Sequence, residues 1–91
     1  YPHPPYACED PWYSSIDRSL VTKPRPSAMT LPGKPSMVKE IARKQNLSDW
    51  GKDNFIEMRA TYLAMVSRFD YQYGMLRDKL IELNYYDLCV L

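Results

Sequence analysis

Apolar side chains recur at every third or fourth position through the second half of the chain. They form one stripe: Phe55, Met58, Tyr62, Met65, Phe69, Tyr73, Leu76, Leu80 and Leu83. Because this spacing follows the turn of an α-helix, it predicts a helix at about residues 54–83. The opposite side is polar and carries Glu57, Thr61, Arg68, Gln72, Lys79 and Glu82. A helix with so wide an apolar side is normally packed, so we expect the stripe to be covered.

Local signals set the ends of the predicted helices. Asn54 and Glu57 have capping-box spacing at the start of the long helix, and Asn84 is a polar break at its end. The segment NYYDLCVL that contains Asn84 has no helical period, so it predicts a turn and then the start of a strand at about 87–91. Gly74 lies inside the helix at a cost of about 1 kcal/mol relative to Ala, which suggests close approach by a neighbouring backbone.

A shorter helix is predicted at about residues 37–46. Ser36 is a candidate N-cap, and Asn46 is expected in the left-handed conformation that ends many helices. The apolar residues between them share one side: Val38, Ile41 and Ala42.

All eight prolines lie in residues 1–35, which makes this the sharpest compositional boundary in the chain. Proline fixes its own φ and disfavours helix in the residue before it, so this segment is predicted to be mostly loop. It opens with YPHPPYACEDPWY, which holds His3, the single histidine, between prolines and aromatic residues. Such a rigid and aromatic stretch is unlike a flexible tail.

Composition excludes several classes of function. The formal net charge is +1, without the basic patch that nucleic-acid binding needs. No run of about 18 apolar residues occurs, so no membrane span is predicted. Cys8 and Cys89 stand at opposite ends without C-x-x-C or metal-ligand spacing, and are interpreted as unpaired thiols.

The long helix and its continuation match a pattern of the form Y-x-x-M-V-x-x-x-D-x-x-x-G-x-x-x-x-x-L, followed by L-x-x-Y-D. The matching residues are Tyr62, Met65, Val66, Asp70, Gly74, Leu80, Leu83, Tyr86 and Asp87. At the other end, residues 2–6 match P-H-x-P-[FY], and Pro11-Trp12-Tyr13 follows as a proline-aromatic-tyrosine stretch. In order and spacing these segments resemble the sulfatase family of alkaline-phosphatase-like hydrolases, most closely at residues 2–6 and 62–91.

The resemblance implies an α/β fold, of which this chain would be an internal piece. Residues 1–35 would form a proline-rich active-site loop region, and residues 36–91 the two helices and the first residues of a strand. In the family that strand ends in an Asp-His-Gly metal-binding sequence, expected just beyond Leu91. Isolated from its sheet, the piece is expected to associate with itself through the apolar side of the helix.

The resemblance also implies the chemistry. In sulfatases the histidine of P-H-x-P contacts the sulfate ester, so His3 takes that catalytic role, with flanking prolines holding the ring in place. Tyr6, Trp12 and Tyr13 are weaker candidates for substrate binding. Since aromatic residues on such a loop also serve to cover a sheet, both interpretations stay open.

The rest of a sulfatase site is not found in these residues. The formylglycine nucleophile arises within C/S-x-P-x-R, and neither cysteine stands in that context. The aspartates that bind Ca²⁺, or Mg²⁺, in the family are also missing, so no metal ligand is assigned here. Asp70 is interpreted as a structural hydrogen-bonding or salt-bridge residue. The chain alone is therefore predicted to be inactive and to bind no cation.

Two alternatives stay open. A phosphonate or phosphate monoester hydrolase of the same superfamily shares the P-H-x-P loop and the helix pattern. A non-enzymatic adaptor subunit would use the P-x-x-P spacing of Pro2–Pro5 and Pro32–Pro35 together with the long helix to wrap a partner.

Overall fold

The structure, a computed structural model, describes residues 2–23, 32–33 and 35–89. Three α-helices are present: α1 (Trp12–Ser15), α2 (Ser36–Lys44) and α3 (Lys52–Glu82). Short 3-10 turns lie at Arg18–Leu20, Leu47–Asp49 and Tyr86–Leu88. The chain forms two compact units, the first made of Tyr1–Ile16 and Thr61–Leu91 and the second of Asp17–Ala60.

The predicted α/β fold is wrong: the part of the chain that the structure describes is helical and contains no strand. The first residues of the strand predicted at 87–91 instead belong to the Tyr86–Leu88 turn, and residues 90–91 lie outside the described residues. The backbone N–H groups of Leu88 and Cys89 donate to the carbonyls of Tyr85 and Tyr86 at 3.0 and 3.1 Å. A strand-like composition makes a strand only where another strand takes up the backbone hydrogen bonds, and here these bonds close locally.

Helix α3 ends close to the predicted position because of a specific backbone motif. Asn84 adopts the left-handed conformation, with φ of 57°. The N–H groups of Asn84 and Tyr85 then donate to the carbonyls of Ile81 and Leu80 at 3.0 and 2.8 Å. This is the pair of hydrogen bonds of a Schellman motif, which satisfies the last carbonyls of the helix.

The start of α3 differs in detail from the predicted capping box. The helix begins at Lys52, and the side-chain Oδ1 of Asn54 accepts a hydrogen bond from the N–H of Gly51 at 3.0 Å. Asn54 therefore accepts the hydrogen bond from the backbone at the helix start that was predicted for the Glu57 side chain. The Glu57 carboxylate binds Arg18 instead, with Nη2 and Nε at 2.9 and 3.2 Å.

For the shorter helix, α2, the prediction is confirmed at the C-terminal end and corrected at the N-terminal end. Asn46 has φ of 53°, so the predicted left-handed residue is confirmed. Ser36 is the first helical residue rather than the N-cap, which is Pro35. The Pro35 carbonyl accepts from the N–H of Val38 at 3.1 Å, so the first turn closes without a side-chain cap.

The second unit is held by arginine side chains as well as by apolar packing. Besides the Arg18–Glu57 pair, Nη1 of Arg59 donates to the carbonyl and hydroxyl oxygens of Thr22, both at 2.6 Å. Val21 and Ala60 are its buried apolar residues. Contact between the Trp50 and Phe55 rings, with centroids 5.3 Å apart, closes the turn that precedes α3.

In the first unit, the covered part of α3 includes residues from the side predicted to be polar. Thr61 is buried there next to the fully buried Ala64, and Arg68 forms an ion pair with Glu9. Met65, which belongs to the apolar stripe, is buried as expected. By contrast, five residues of the apolar stripe are 40–55% exposed: Tyr62, Phe69, Tyr73, Leu76 and Leu83. The expected burial of the stripe is therefore wrong for these five, because a chain this short cannot cover both sides of a long helix.

Gly74 provides a test of how α3 is packed. A Cβ built on Gly74 meets no atom within 4 Å, so the close approach expected there is not seen. We predict that Gly74→Ala stabilises the chain by about 0.5–1 kcal/mol, because alanine restricts the unfolded backbone more than glycine does. Urea unfolding followed by circular dichroism at 222 nm measures the change.

Gly33→Ala is the matched control. Gly33 also has open space around a Cβ, but its φ of 75° strains any residue with a side chain. It should therefore lower stability or leave it unchanged. A loss of stability in Gly74→Ala would show that another backbone packs against this turn of the helix.

Candidate active-site loop

The loop that carries His3 lies along the middle of α3. Three contacts fix it there. The Tyr6 ring meets the Tyr62 ring edge-on, with centroids 6.2 Å apart and planes at 81°. Further along, Glu9 accepts from Arg68 at 2.8 Å, and the Trp12 ring tilts against the Tyr71 ring at 5.0 Å. Over these contacts the loop therefore runs parallel to α3.

Helix α1 fixes the end of this loop through hydrogen bonds from short side chains. The carboxylate Oδ1 of Asp10 accepts from the backbone N–H and the hydroxyl of Ser14, at 3.0 and 2.5 Å. Ser15 donates from its hydroxyl to the carbonyl of Trp12 at 2.7 Å. Because Asp10 satisfies a free N–H at the start of the turn, a helix of only four residues persists and holds Trp12 on α3.

His3 lies at the free end of the loop, and its side chain is exposed. Its ring Nδ1 lies 2.7 Å from the carbonyl oxygen of Pro4. Since a carbonyl can only accept, Nδ1 is the protonated nitrogen in this arrangement, which leaves Nε2 as the basic nitrogen of a neutral ring. The hydrogen bond and the adjacent prolines together restrict the ring, so it is oriented before any substrate arrives.

The three aromatic candidates occupy different positions. Tyr6 and Trp12 pack on α3 through Tyr62 and Tyr71, although the Tyr6 ring keeps 41% of its surface exposed. Tyr13 is 38% exposed. Two of the three thus anchor the loop that presents His3, and this anchoring is compatible with either interpretation of their role.

Sequence reasoning missed Glu9 and Arg68, the charged pair in the middle of the loop. Glu9 was part of a loop without period, and Arg68 was assigned to the solvent side of α3. The signal that could have found this pair is that Arg68 shares one side of the helix with two small residues, Thr61 and Ala64. Small neighbours of that kind leave room for a chain to lie across the helix.

The cysteines are free thiols in the described part of the chain. Partial burial, helped by the negative charge of Glu9, raises the pKa of the Cys8 thiol above its usual value, while Arg68 opposes this shift. A thiol with a raised pKa is mostly protonated at neutral pH and is a poor nucleophile.

The described residues do not form a site for a divalent cation. Among residues 2–23, 32–33 and 35–89, no group of three or more carboxylate, imidazole or thiol side chains converges. Asp70 is exposed and makes no hydrogen bond or ion pair with any of these residues, so the structural partner expected for it is not found there.

Comparison of the chain with protein-family models, curated proteins and solved structures finds no match. Within the described residues, no helix combines the length and the apolar character needed to cross a membrane.

Proposed function

We propose that this chain belongs to a sulfatase, to which it contributes the loop that presents His3 and the helix on which this loop rests. One contact carries the proposal. Tyr6 is the aromatic residue of the P-H-x-P-[FY] match, Tyr62 is the first residue of the helix match, and their rings touch. These positions are 56 residues apart in the sequence, yet both sequence matches fall in the first compact unit.

His3 acts in this proposal as a donor to the sulfate ester. An N–H group aimed at the ester or leaving-group oxygen stabilises the negative charge that develops as the S–O bond breaks. The hydrogen bond from Nδ1 to Pro4 leaves Nε2 for that contact, as a donor in the protonated ring.

The nucleophile and the cation come from polypeptide outside these 91 residues. In the proposed enzyme a formylglycine would supply the attacking oxygen, and Ca²⁺ or Mg²⁺ on a carboxylate-rich site would supply charge stabilisation to the sulfate. The described residues do not fit such a cation site, so what they contribute in this proposal is the His3 donor and the loop that carries it.

The coding sequence around this segment tests the proposal directly. A C/S-x-P-x-R motif upstream and an Asp-His-Gly sequence shortly after Leu91 would support it. A start codon directly before Tyr1 together with a stop codon after Leu91 would overturn it. With the upstream motif in hand, comparing rates on aryl sulfates and aryl phosphonates would separate a sulfatase from a phosphonate monoester hydrolase.

The isolated chain gives a second prediction. We expect the purified 91-residue chain to hydrolyse no aryl sulfate, with or without added Ca²⁺, because it carries neither the nucleophile motif nor the cation ligands of a sulfatase. Release of 4-nitrophenol from 4-nitrophenyl sulfate, followed at 400 nm against a no-protein blank, measures this. Steady hydrolysis that scales with chain concentration would contradict the proposal that the nucleophile and the cation ligands lie outside this chain.

A further inference from the structure

The exposed side of α3 has a stricter spacing than a general helical stripe. Its apolar residues follow one another at alternating steps of four and three. We call this the heptad face: Tyr62, Val66, Phe69, Tyr73, Leu76, Leu80 and Leu83. Leu80 is half-buried, and the other six range from 37% exposed at Val66 to 55% at Leu76. An unbroken repeat of this kind is the pattern of helices that pair in a coiled coil.

The loop at residues 2–16 contacts α3 mostly outside this face. Its contacts with Arg68 and Tyr71 lie on the other side of the helix, where Ala64 is buried. Tyr6 contacts the heptad face at its first residue, Tyr62. A second helix can therefore lie against the remaining six residues without displacing the loop.

We propose that the heptad face pairs with the same face of a second copy of this chain, with the two α3 helices antiparallel. In the register we favour, Val66 lies opposite Leu83 of the second copy, Phe69 opposite Leu80, and Tyr73 opposite Leu76. Each pairing occurs twice by symmetry, which gives six apolar layers. This inference concerns the chain by itself and does not rest on the proposed function.

Charge complementarity selects the second copy as the occupant. Asp70 and Arg77 are seven residues apart and occupy the same flanking position of the repeat. In the favoured register, each faces the other residue of the second copy, so two Asp70–Arg77 pairs form across the interface. Asp70 makes no ion pair with any described residue. The Arg77 guanidinium lies 3.6 Å from the Asp78 carboxylate and 5.5 Å from the centre of the Tyr86 ring, and its side chain still keeps 51% of its surface exposed. Both are therefore accessible to a second chain.

The other arrangements lack this match. Sliding the antiparallel pair by one heptad places Asp70 against Asp70 of the second copy, which is repulsive. Parallel helices in register instead place Gln72 against Arg77, and Lys79 against Asn84, so no opposite charges meet. The antiparallel register centred between Asp70 and Arg77 is the one in which the apolar layers and the charges agree.

Sedimentation equilibrium on the 91-residue chain tests the proposal. We expect a monomer–dimer equilibrium in which Asp70→Arg or Arg77→Asp alone raises Kd about tenfold or more, since each change turns two attractive pairs into two repulsive ones. The double variant Asp70→Arg/Arg77→Asp should return Kd to within about threefold of the original value, because it restores both pairs with their charges exchanged.

Asp49→Arg is the matched control. It makes the same change of charge as Asp70→Arg, but Asp49 is exposed in the Leu47–Asp49 turn, in the second unit and outside the heptad face. It should leave Kd unchanged. A chain that stays monomeric at all concentrations would overturn the proposal. So would single variants that dimerise as well as Asp49→Arg, or a double variant that dimerises no better than the single ones. None of these outcomes bears on the presence of a C/S-x-P-x-R motif upstream.

Discussion

In the proposed sulfatase, His3→Ala is expected to lower kcat for sulfate-ester hydrolysis by about 10²- to 10³-fold. The loss follows from removing a donor that stabilises charge only as the S–O bond breaks, so KM should change much less than kcat. The effect should be large because the ring is held in advance by the Pro4 carbonyl and the neighbouring prolines. Initial rates on an aryl sulfate across a range of concentrations separate kcat from KM.

Two further variants identify the kind of role. His3→Gln keeps an N–H donor of similar reach and should recover part of kcat, whereas Cys8→Ser, on the same loop, should change kcat by less than about threefold. If His3→Ala instead raised KM and left kcat unchanged, His3 would bind substrate without assisting the reaction. Equal losses in His3→Ala and Cys8→Ser would point to a disturbed loop rather than to the imidazole.

The arrangement of the loop explains how far its role could be predicted from the sequence. His3 was assigned its role from the resemblance of residues 2–6 to the P-H-x-P-[FY] segment of sulfatases, and this role stays a prediction. Its supports on α3, Tyr62, Arg68 and Tyr71, were not assigned to it. Those contacts join residues 56 to 59 positions apart, and no periodicity along the chain records such a distance.

The fold shows the same difference between features set by neighbouring residues and features that depend on distant ones. The left-handed residues Asn46 and Asn84 stand at the ends of α2 and α3, because a helix end is decided by a few neighbouring backbone groups. The strand predicted at 87–91 required a partner strand, and since the described residues contain none, the backbone closes into a 3-10 turn at Tyr86–Leu88.

The hydrophobic pattern alone also could not predict which side of α3 the loop covers. Apolar periodicity predicts that a stripe has a tendency to be buried, but not which segment reaches it. The loop carries Glu9, which pairs with Arg68, and this pair brings the loop to the side with small residues. The larger apolar side chains are then left for a partner outside the chain, which is the basis for the proposed antiparallel dimer.

Met65→Ala is expected to destabilise the chain by about 2–5 kcal/mol, the largest effect on folding among the changes considered. Met65 is 1% exposed and is the largest fully buried side chain among the described residues. Its removal leaves a cavity in a small core that has few other side chains to fill it. For a chain of this size such a loss lowers Tm by roughly 10 °C or more, which a thermal melt at 222 nm measures. Because self-association couples Tm to concentration, the variants must be compared at one concentration.

Met75→Ala provides the matched comparison, since it makes the same chemical change in the same helix. Met75 is 57% exposed and lies outside the heptad face, so its loss should cost less than about 1 kcal/mol. The difference between the two variants therefore reports the core beneath the loop rather than helix propensity, which is the same for both. Equal destabilisation would mean that Met65 is no better packed than the exposed Met75, so that the core beneath the loop contributes little to stability. The anchoring of the His3 loop, on which the catalytic prediction depends, would then lose its structural support.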